Sequence, residues 1–318
     1  QYGSTDAGTL KAAEKVKAVN PASRILFYRN VLVHFGGYSF DKDLDNIESP
    51  FLRDRHGKEK VLWGGRAEAF DLSQKIVRDW WVDSLDEVCA SDYIDGLFID
   101  GNVKVLSEYL KRQLPSGKKE ALIKGYHDMM SAMRNKMDPR KLLLGNILRA
   151  RFAQGGNEYM HYFDGSYLEA FTHNVGGETR KNYILKGISA AQQAARKGKV
   201  IAMTFGLGKS AIDRDGIDDK RQSLATLDNI QRKKMFYLAL FLTCAEKYSY
   251  LNLHDGYCVD SNKGGCRSKL WMTRLAEYDR PLGAPKGPAE QDGDIFKSWP
   301  DTFYESDYYE ESWRMYSL

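Results

Sequence analysis

The residues best placed to do chemistry are two acids that close short apolar runs. In Tyr93-Ile-Asp-Gly-Leu-Phe-Ile-Asp-Gly-Asn102 the run ends on Asp100, with Gly101 and Asn102 directly after it. In Tyr162-Phe-Asp-Gly-Ser-Tyr-Leu-Glu-Ala-Phe171 it ends on Glu169. A buried strand that delivers an acid at its C-terminal end is how a parallel α/β barrel presents reactive groups. Two such acids facing one pocket are the minimum equipment for cleaving a glycosidic bond. Asp100 suits a nucleophile, because a carboxylate is ionised at neutral pH and leaves well from a glycosyl ester. Its competing role is N-cap of the segment after Asn102. Glu169 suits a general acid, because an apolar, aromatic setting such as Tyr167, Leu168 and Phe171 raises a carboxyl pKa. Its competing roles are a helix cap or an Arg partner. Retention of configuration requires the carboxyls roughly 5–5.5 Å apart, inversion about 6.5–9.5 Å. Asp95 and Asp164 open the same two runs and read as structural.

Other polar residues recur at the ends of neighbouring apolar runs: Tyr28 and Asn30 followed by His34, then Trp63, Asp71, Asn102, Asn146, Arg149, His173, Asn252, His254 and Asp255. Singly, each is explained as a loop residue. Their repeated placement predicts a rim that binds sugar hydroxyls, with Tyr28, Trp63 and Tyr257 as stacking platforms. Other motifs fall away. Phe205-Gly-Leu-Gly-Lys-Ser210 echoes a phosphate loop, but the motif's first glycine would fall on Met203. The acidic stretch Asp213 to Asp219 places its glycine too early for an EF-hand. There is no nucleophile elbow, and the histidines lack zinc-ligand spacing. Neither a metal nor a cofactor is expected.

The elements that must carry these residues alternate. Helical spacing covers Asp6 to Val19, Ser73 to about Ala90, Lys118 to Met137, Asn182 to Lys197 and Ser223 to Ala245. Strands are expected at Arg24–Asn30, around Val61–Asp71, and at Ile94–Asp100, Lys141–Asn146, Phe163–Leu168, Lys199–Phe205 and Tyr248–Leu253. Continuous apolar strands such as Val200 to Met203 are buried on both faces, as in a parallel sheet covered by helices. Seven strand positions are legible where a closed ring needs eight, and the chain opens on a helix. The expectation is a (β/α)8 TIM barrel over residues 1–270 whose first strand precedes Gln1. Residues 271–318, turn-rich at Arg280 to Pro288 and then aromatic and acidic, are expected to form an irregular extension packed on the barrel and to offer a surface for self-association.

Bulk properties set limits. The chain has 318 residues, 42% hydrophobic and 12% aromatic, enough to build a core. A formal charge of +4, with cations scattered among acids, gives no argument for a nucleic-acid partner. No apolar run is long enough to span a bilayer. Of the four cysteines, Cys258 and Cys266 bracket a Gly-rich loop that a disulfide could close, which favours an oxidising compartment and a secreted protein. Cys89 and Cys244 lie in apolar helical contexts and read as buried thiols.

Taken in order, Leu26-Phe-Tyr-Arg-Asn30, Phe70-Asp-Leu-Ser73 leading to Val77-Arg-Asp-Trp-Trp81, Asp95 to Asp100, Asp164 to Glu169, and Tyr278-Asp-Arg-Pro-Leu-Gly283 resemble hypothetical glycosyl hydrolase family 15, a distant relative of the α-galactosidase-type barrels. The resemblance runs over about residues 1 to 297. It implies a (β/α)8 barrel, a nucleophile matching Asp100 at the end of the fourth strand and an acid/base matching Glu169 at the end of the sixth. The ends depart from the family: its first strand would precede Gln1, and Lys297-Ser-Trp-Pro-Asp301 opens a tail without a family counterpart. The predicted function is retaining hydrolysis of a poly- or oligosaccharide. The competing one is a hydrolase-like barrel without turnover that binds carbohydrate or assembles through its tail, since fold alone does not fix function.

Overall fold

The computed structural model describes residues 3–62, 65–148, 151–168, 180–206, 224–254, 278, 290–292 and 295–297. The chain divides into two compact units, residues 1–147 with 159–166, and residues 148–158 with 167–318.

The first unit opens with helix α1 (Thr5–Val19), which Ser4 starts by accepting the Ala7 N–H and which stops at Asn20, before Pro21. Four parallel strands follow in the order β1 (Leu26–Asn30), β5 (Gly96–Asp100), β6 (Leu142–Gly145) and the start of β7 (Gly165–Leu168). Register places Tyr28 beside Phe98 and Asn30 beside Asp100. The apolar runs were legible because one face of the sheet is deeply covered: Phe27, Leu97, Ile99 and Leu143 share it and are all buried.

An Asp-Gly pair opens two of these strands, and both acids are structural. Asp95 accepts the Ile25 N–H at 2.7 Å and ion pairs with Lys17 at 2.8 Å and Arg24 at 2.9 Å. Asp164 accepts the Leu143 N–H at 2.8 Å and pairs with Arg134 at 2.7 Å. Each carboxylate thus satisfies an N–H at the start of the neighbouring strand and ties the sheet to a basic side chain. Burial acts to raise the Asp95 pKa, but the Lys17 ammonium, the Ile25 N–H and Arg24 outweigh it and hold the carboxyl below its ordinary value. A carboxyl so depressed stabilises the fold above its unfolded pKa, and that contribution disappears as pH falls through the folded value. Asp95→Asn should therefore cost about 2 kcal/mol at neutral pH. The gap to the parent should close as acid takes the pH below the depressed folded pKa of Asp95. Urea midpoints across that range measure it, and a gap that stays constant refutes the assignment.

The stretch expected to give a barrel strand between β1 and β5 does not join the parallel sheet. Strands β3 (Val61–Leu62) and β4 (Ala67–Ala69) pair antiparallel, and β4 also pairs antiparallel with β2 (Val33–His34). At two and three residues, and with Val61 exposed, they lack the length and apolar continuity of a doubly covered strand. The helix expected from Ser73 to Ala90 is broken into α2 (Lys75–Asp83) and α3 (Asp86–Ala90). Gln74, not Ser73, is the residue that precedes α2. After β5 comes the short α4 (Asn102–Leu106), then α5 (Lys118–Lys136).

Between Tyr28 and Asn30, Arg29 faces the other way and is 2% exposed. Its guanidinium lies 4.7–5.9 Å from the ring centres of Tyr38, Phe40, Phe70, Trp80 and Trp81. Aromatic faces attract a desolvated cation, and here they replace a carboxylate partner. Trp81 also donates its indole N–H to the Asn30 carbonyl at 3.0 Å.

In the second unit the end of β7, β8 (Val200–Gly206) and β9 (Ser249–His254) lie in that order, with β8 and β9 parallel from Ile201–Ser249 to Gly206–His254. Helix α6 (Arg180–Arg196) packs on β8, and α7 (Leu224–Cys244) packs on α6 and β9. The Tyr237 ring stacks on Phe205 at 4.5 Å. An antiparallel pair, β10 (Glu290–Asp292) and β11 (Ile295–Lys297), lies in the expected extension. Among the described residues neither unit closes a ring of strands by itself. No described helix is long and apolar enough to cross a membrane.

Candidate active site

The first unit gathers Tyr28, Asn30, Asp100 and Asn146 at the C-terminal ends of β1, β5 and β6. The period of two in parallel, in-register strands puts Tyr28, Asn30 and Asp100 on one face. Asp100 Oδ2 accepts the Tyr28 hydroxyl at 2.9 Å and the Asn30 amide at 3.3 Å, and Oδ1 accepts the Asn146 amide at 3.2 Å. Asn30 and Asn146 are buried, whereas Asp100 and Tyr28 are half-buried. Burial, followed by the Asp100 charge, pushes the Tyr28 pKa upwards. Tyr28 therefore stays a phenol and donates.

The Asn30 amide has one orientation that satisfies its neighbours. Its Oδ1 accepts the backbone N–H groups of Leu32 at 2.9 Å and Val33 at 2.7 Å, which turns Nδ2 towards Asp100. That arrangement requires glycine next to the acid. Gly101 has φ +82°, and a Cβ there would fall 2.4 Å from Asn30 Oδ1.

Asp100 is not a helix cap. Gly101 holds the N-cap position of α4, and no side chain caps it. Asn102, expected on the ligand-binding rim, is instead fully buried. Its Nδ2 donates to the Ile99 carbonyl at 2.7 Å and the Asn146 carbonyl at 3.4 Å, and its Oδ1 accepts the Tyr126 hydroxyl at 2.8 Å. It braces the turn after Asp100 and has no amide group left for a ligand. Lys119, buried on α5, closes the far end of α4 by donating to the carbonyls of Lys104 and Val105.

The remaining predicted residues lie elsewhere. Asp71 is buried and held by Lys118 at 2.6 Å, by the Ser73 hydroxyl at 2.6 Å and by the Gln74 amide at 3.0 Å, so its carboxylate organises the approach to α2. His34 lies 3.4 Å from Asp41 and 3.7 Å from Glu68, and its ring packs against Phe51 and Phe70. In the second unit Asn252 is exposed on β9, and His254 ends that strand. Glu169, Trp63, Arg149, His173, Asp255, Tyr257, Cys258 and Cys266 lie outside the described residues.

Two residues that sequence reasoning did not select take part in polar contacts near strand ends. Tyr126 supports Asn102 from α5, across 24 positions of sequence. Thr204 donates its hydroxyl to the Tyr167 phenol at 2.9 Å in the second unit, and its only local signal was a polar residue late in an apolar strand. Among the described residues no group of three His, Cys, Asp or Glu side chains is placed to hold a metal ion.

A family profile described as hypothetical glycosyl hydrolase family 15 matches residues 17–298. No curated protein gives a significant match. Among solved structures the chain is similar to a noncanonic maltogenic α-amylase from Thermotoga neapolitana, at 14% identity over 93% of this chain and 66% of that one, with a TM-score of 0.48. It is similar to a GH36 α-galactosidase from Geobacillus stearothermophilus in complex with stachyose, at 11% identity over 82% and 32%, TM-score 0.43. It is also similar to a cycloalternan-forming enzyme from Listeria monocytogenes in complex with a pentasaccharide, at 14% identity over 82% and 22%, TM-score 0.43. The chain spans 22–66% of the length of these three proteins.

Proposed function

The chain belongs to hypothetical glycosyl hydrolase family 15, and from that premise we propose that it is a retaining glycoside hydrolase with Asp100 as nucleophile. The observation that carries this reading is the carboxylate at the C-terminal end of β5, matched by three donors from Tyr28, Asn30 and Asn146. A carboxylate anion only accepts hydrogen bonds, so a ring of donors suits it. Oδ2 is engaged by two of the donors and Oδ1 by one, which makes Oδ1 the oxygen with a lone pair to spare for the anomeric carbon.

In this reading Glu169 is the acid/base. It protonates the leaving oxygen as Oδ1 attacks. It then deprotonates the water that releases the sugar from the glycosyl ester. The strands belong to a (β/α)8 barrel spanning residues 1–270, with residues 271–318 as an extension packed on it. The substrate is a poly- or oligosaccharide. Closure of Cys258 with Cys266, and with it secretion, is part of the same proposal.

The test is a glycan panel followed by NMR of the first-formed anomer. Retained configuration is the expected result. An inverted product would exclude the double displacement. Turnover of no glycan in a broad panel would favour the competing carbohydrate-binding or assembly role.

A further inference from the structure

A cavity lies well apart in sequence from the Asp100 cluster. It has a volume of about 550 Å³, and its lining residues all belong to the second unit. That volume is within the roughly 300–1,000 Å³ of small-molecule sites. One wall is a stripe of α6, Asn182, Lys186, Ser189 and Gln193, and the other is the loop bearing Phe152 and Gln154. The helical positions follow at intervals of four, three and four, so they share one face, and at 1.5 Å per residue the stripe runs for about 16 Å.

The loop wall is held in place. Asn157 donates its amide to the Ala190 carbonyl of α6 at 3.1 Å. Glu158 accepts the backbone N–H groups of Gln154 at 3.3 Å and Gly156 at 2.9 Å. Gly155 and Gly156 both take positive φ, which lets the chain turn sharply after the lining residues Phe152 to Gln154.

The lining chemistry selects a ligand class. Three amides and one hydroxyl supply both donors and acceptors, as a row of sugar hydroxyls requires. Phe152 offers an apolar surface for the C–H face of a sugar ring. Lys186 is the one charged group among the described lining residues, so a carboxylate is favoured over an ammonium. The length of the stripe suits a short oligosaccharide better than a single ring.

We propose that this groove is a second, non-catalytic oligosaccharide site that prefers chains bearing a uronic-acid carboxylate. The inference rests on the reading of the chain as carbohydrate-active. It does not depend on Asp100.

Hydrogen–deuterium exchange of the whole chain tests it, with three trisaccharide probes: an acidic oligogalacturonide, neutral maltotriose and cationic deacetylated chitotriose. The expected result is slowed exchange over residues 152–156 and 182–193, greatest with the acidic probe and least with the cationic one. Titration calorimetry should show affinity for both acidic and neutral probes falling about tenfold in the Asn182→Ala, Gln193→Ala double variant. Lys186→Ala should remove the preference for the acidic probe and keep neutral binding. Both variants are exposed substitutions, and unchanged circular dichroism melts exclude unfolding as the cause. Protection confined to residues 96–102, or binding indifferent to the double variant, overturns the second site and leaves the Asp100 proposal standing. Protection at α6 without turnover of any glycan does the reverse.

Discussion

Asp100→Asn should lower turnover of any glycoside the chain hydrolyses by about four orders of magnitude, the scale on which loss of a group acting at the reacting atoms is felt. The substitution is nearly isosteric, so the fold survives it. Its cost arises where the new amide group meets donors from Tyr28, Asn30 or Asn146, all of which face the carboxylate. Mismatching one such contact costs about 1–2 kcal/mol. That corresponds to a melting shift of a few degrees in a chain this long. Initial rates beside a thermal melt separate the chemical loss from the structural one. A variant that keeps more than about a tenth of the parent rate removes Asp100 from the mechanism. The smaller Asp100→Ala leaves room beside Asn146, and azide supplied there should restore part of the rate if Asp100 is the attacking group.

Gly96→Ala should be severe for stability although it adds a single methyl. The Cβ would fall 2.0 Å from the Leu142 carbonyl oxygen and 2.7 Å from the carbonyl carbon and nitrogen of the same residue. All three atoms are backbone, in the strand to which Gly96 is paired. No side chain can rotate to relieve the contact, so β5 and β6 must separate. They do so beside the Asp95 carboxylate that pins the sheet to Ile25. Loss of that pairing belongs to the class of substitutions worth about 4 kcal/mol or more. The melting temperature should fall by roughly 10 °C, or the chain should fail to accumulate in soluble form. A melt within about 3 °C of the parent would mean that the strands yield without cost.

Much of the scaffold was legible because its signal is local. The helix over residues 118–136, the β8 run from Val200 and the abrupt end of β5 at Asp100 each announce themselves within a few residues. Asp95 and Asp164 were recognisable as structural from their place at the start of a run. What stayed hidden was the partnership of polar side chains. Asp71 reads as a strand-end acid until Lys118, 47 positions later, reaches its oxygen. Asn102 reads as a ligand for hydroxyls until Tyr126 occupies its amide oxygen. Both outcomes depend on which helix packs behind the residue, and local sequence does not encode that. The segment around Val61 to Asp71 had strand composition but lacked the length that would commit it to the parallel sheet.

The aromatic enclosure of Arg29 has a consequence for how β1 can pair at all. A strand that slips by one residue exchanges its two faces. Slippage of β1 against β5 would carry the guanidinium towards Asp100 and force the Tyr28 phenol and the Asn30 amide into a pocket of five rings. The cation would then neutralise the carboxylate, and the amide would be buried where aromatic carbon offers it no acceptor. Every slip by an odd number of residues is therefore penalised on both sides of the sheet together. The enclosure acts as a molecular key for alignment, rejecting frames in which Asp100 would be silenced by its own neighbour.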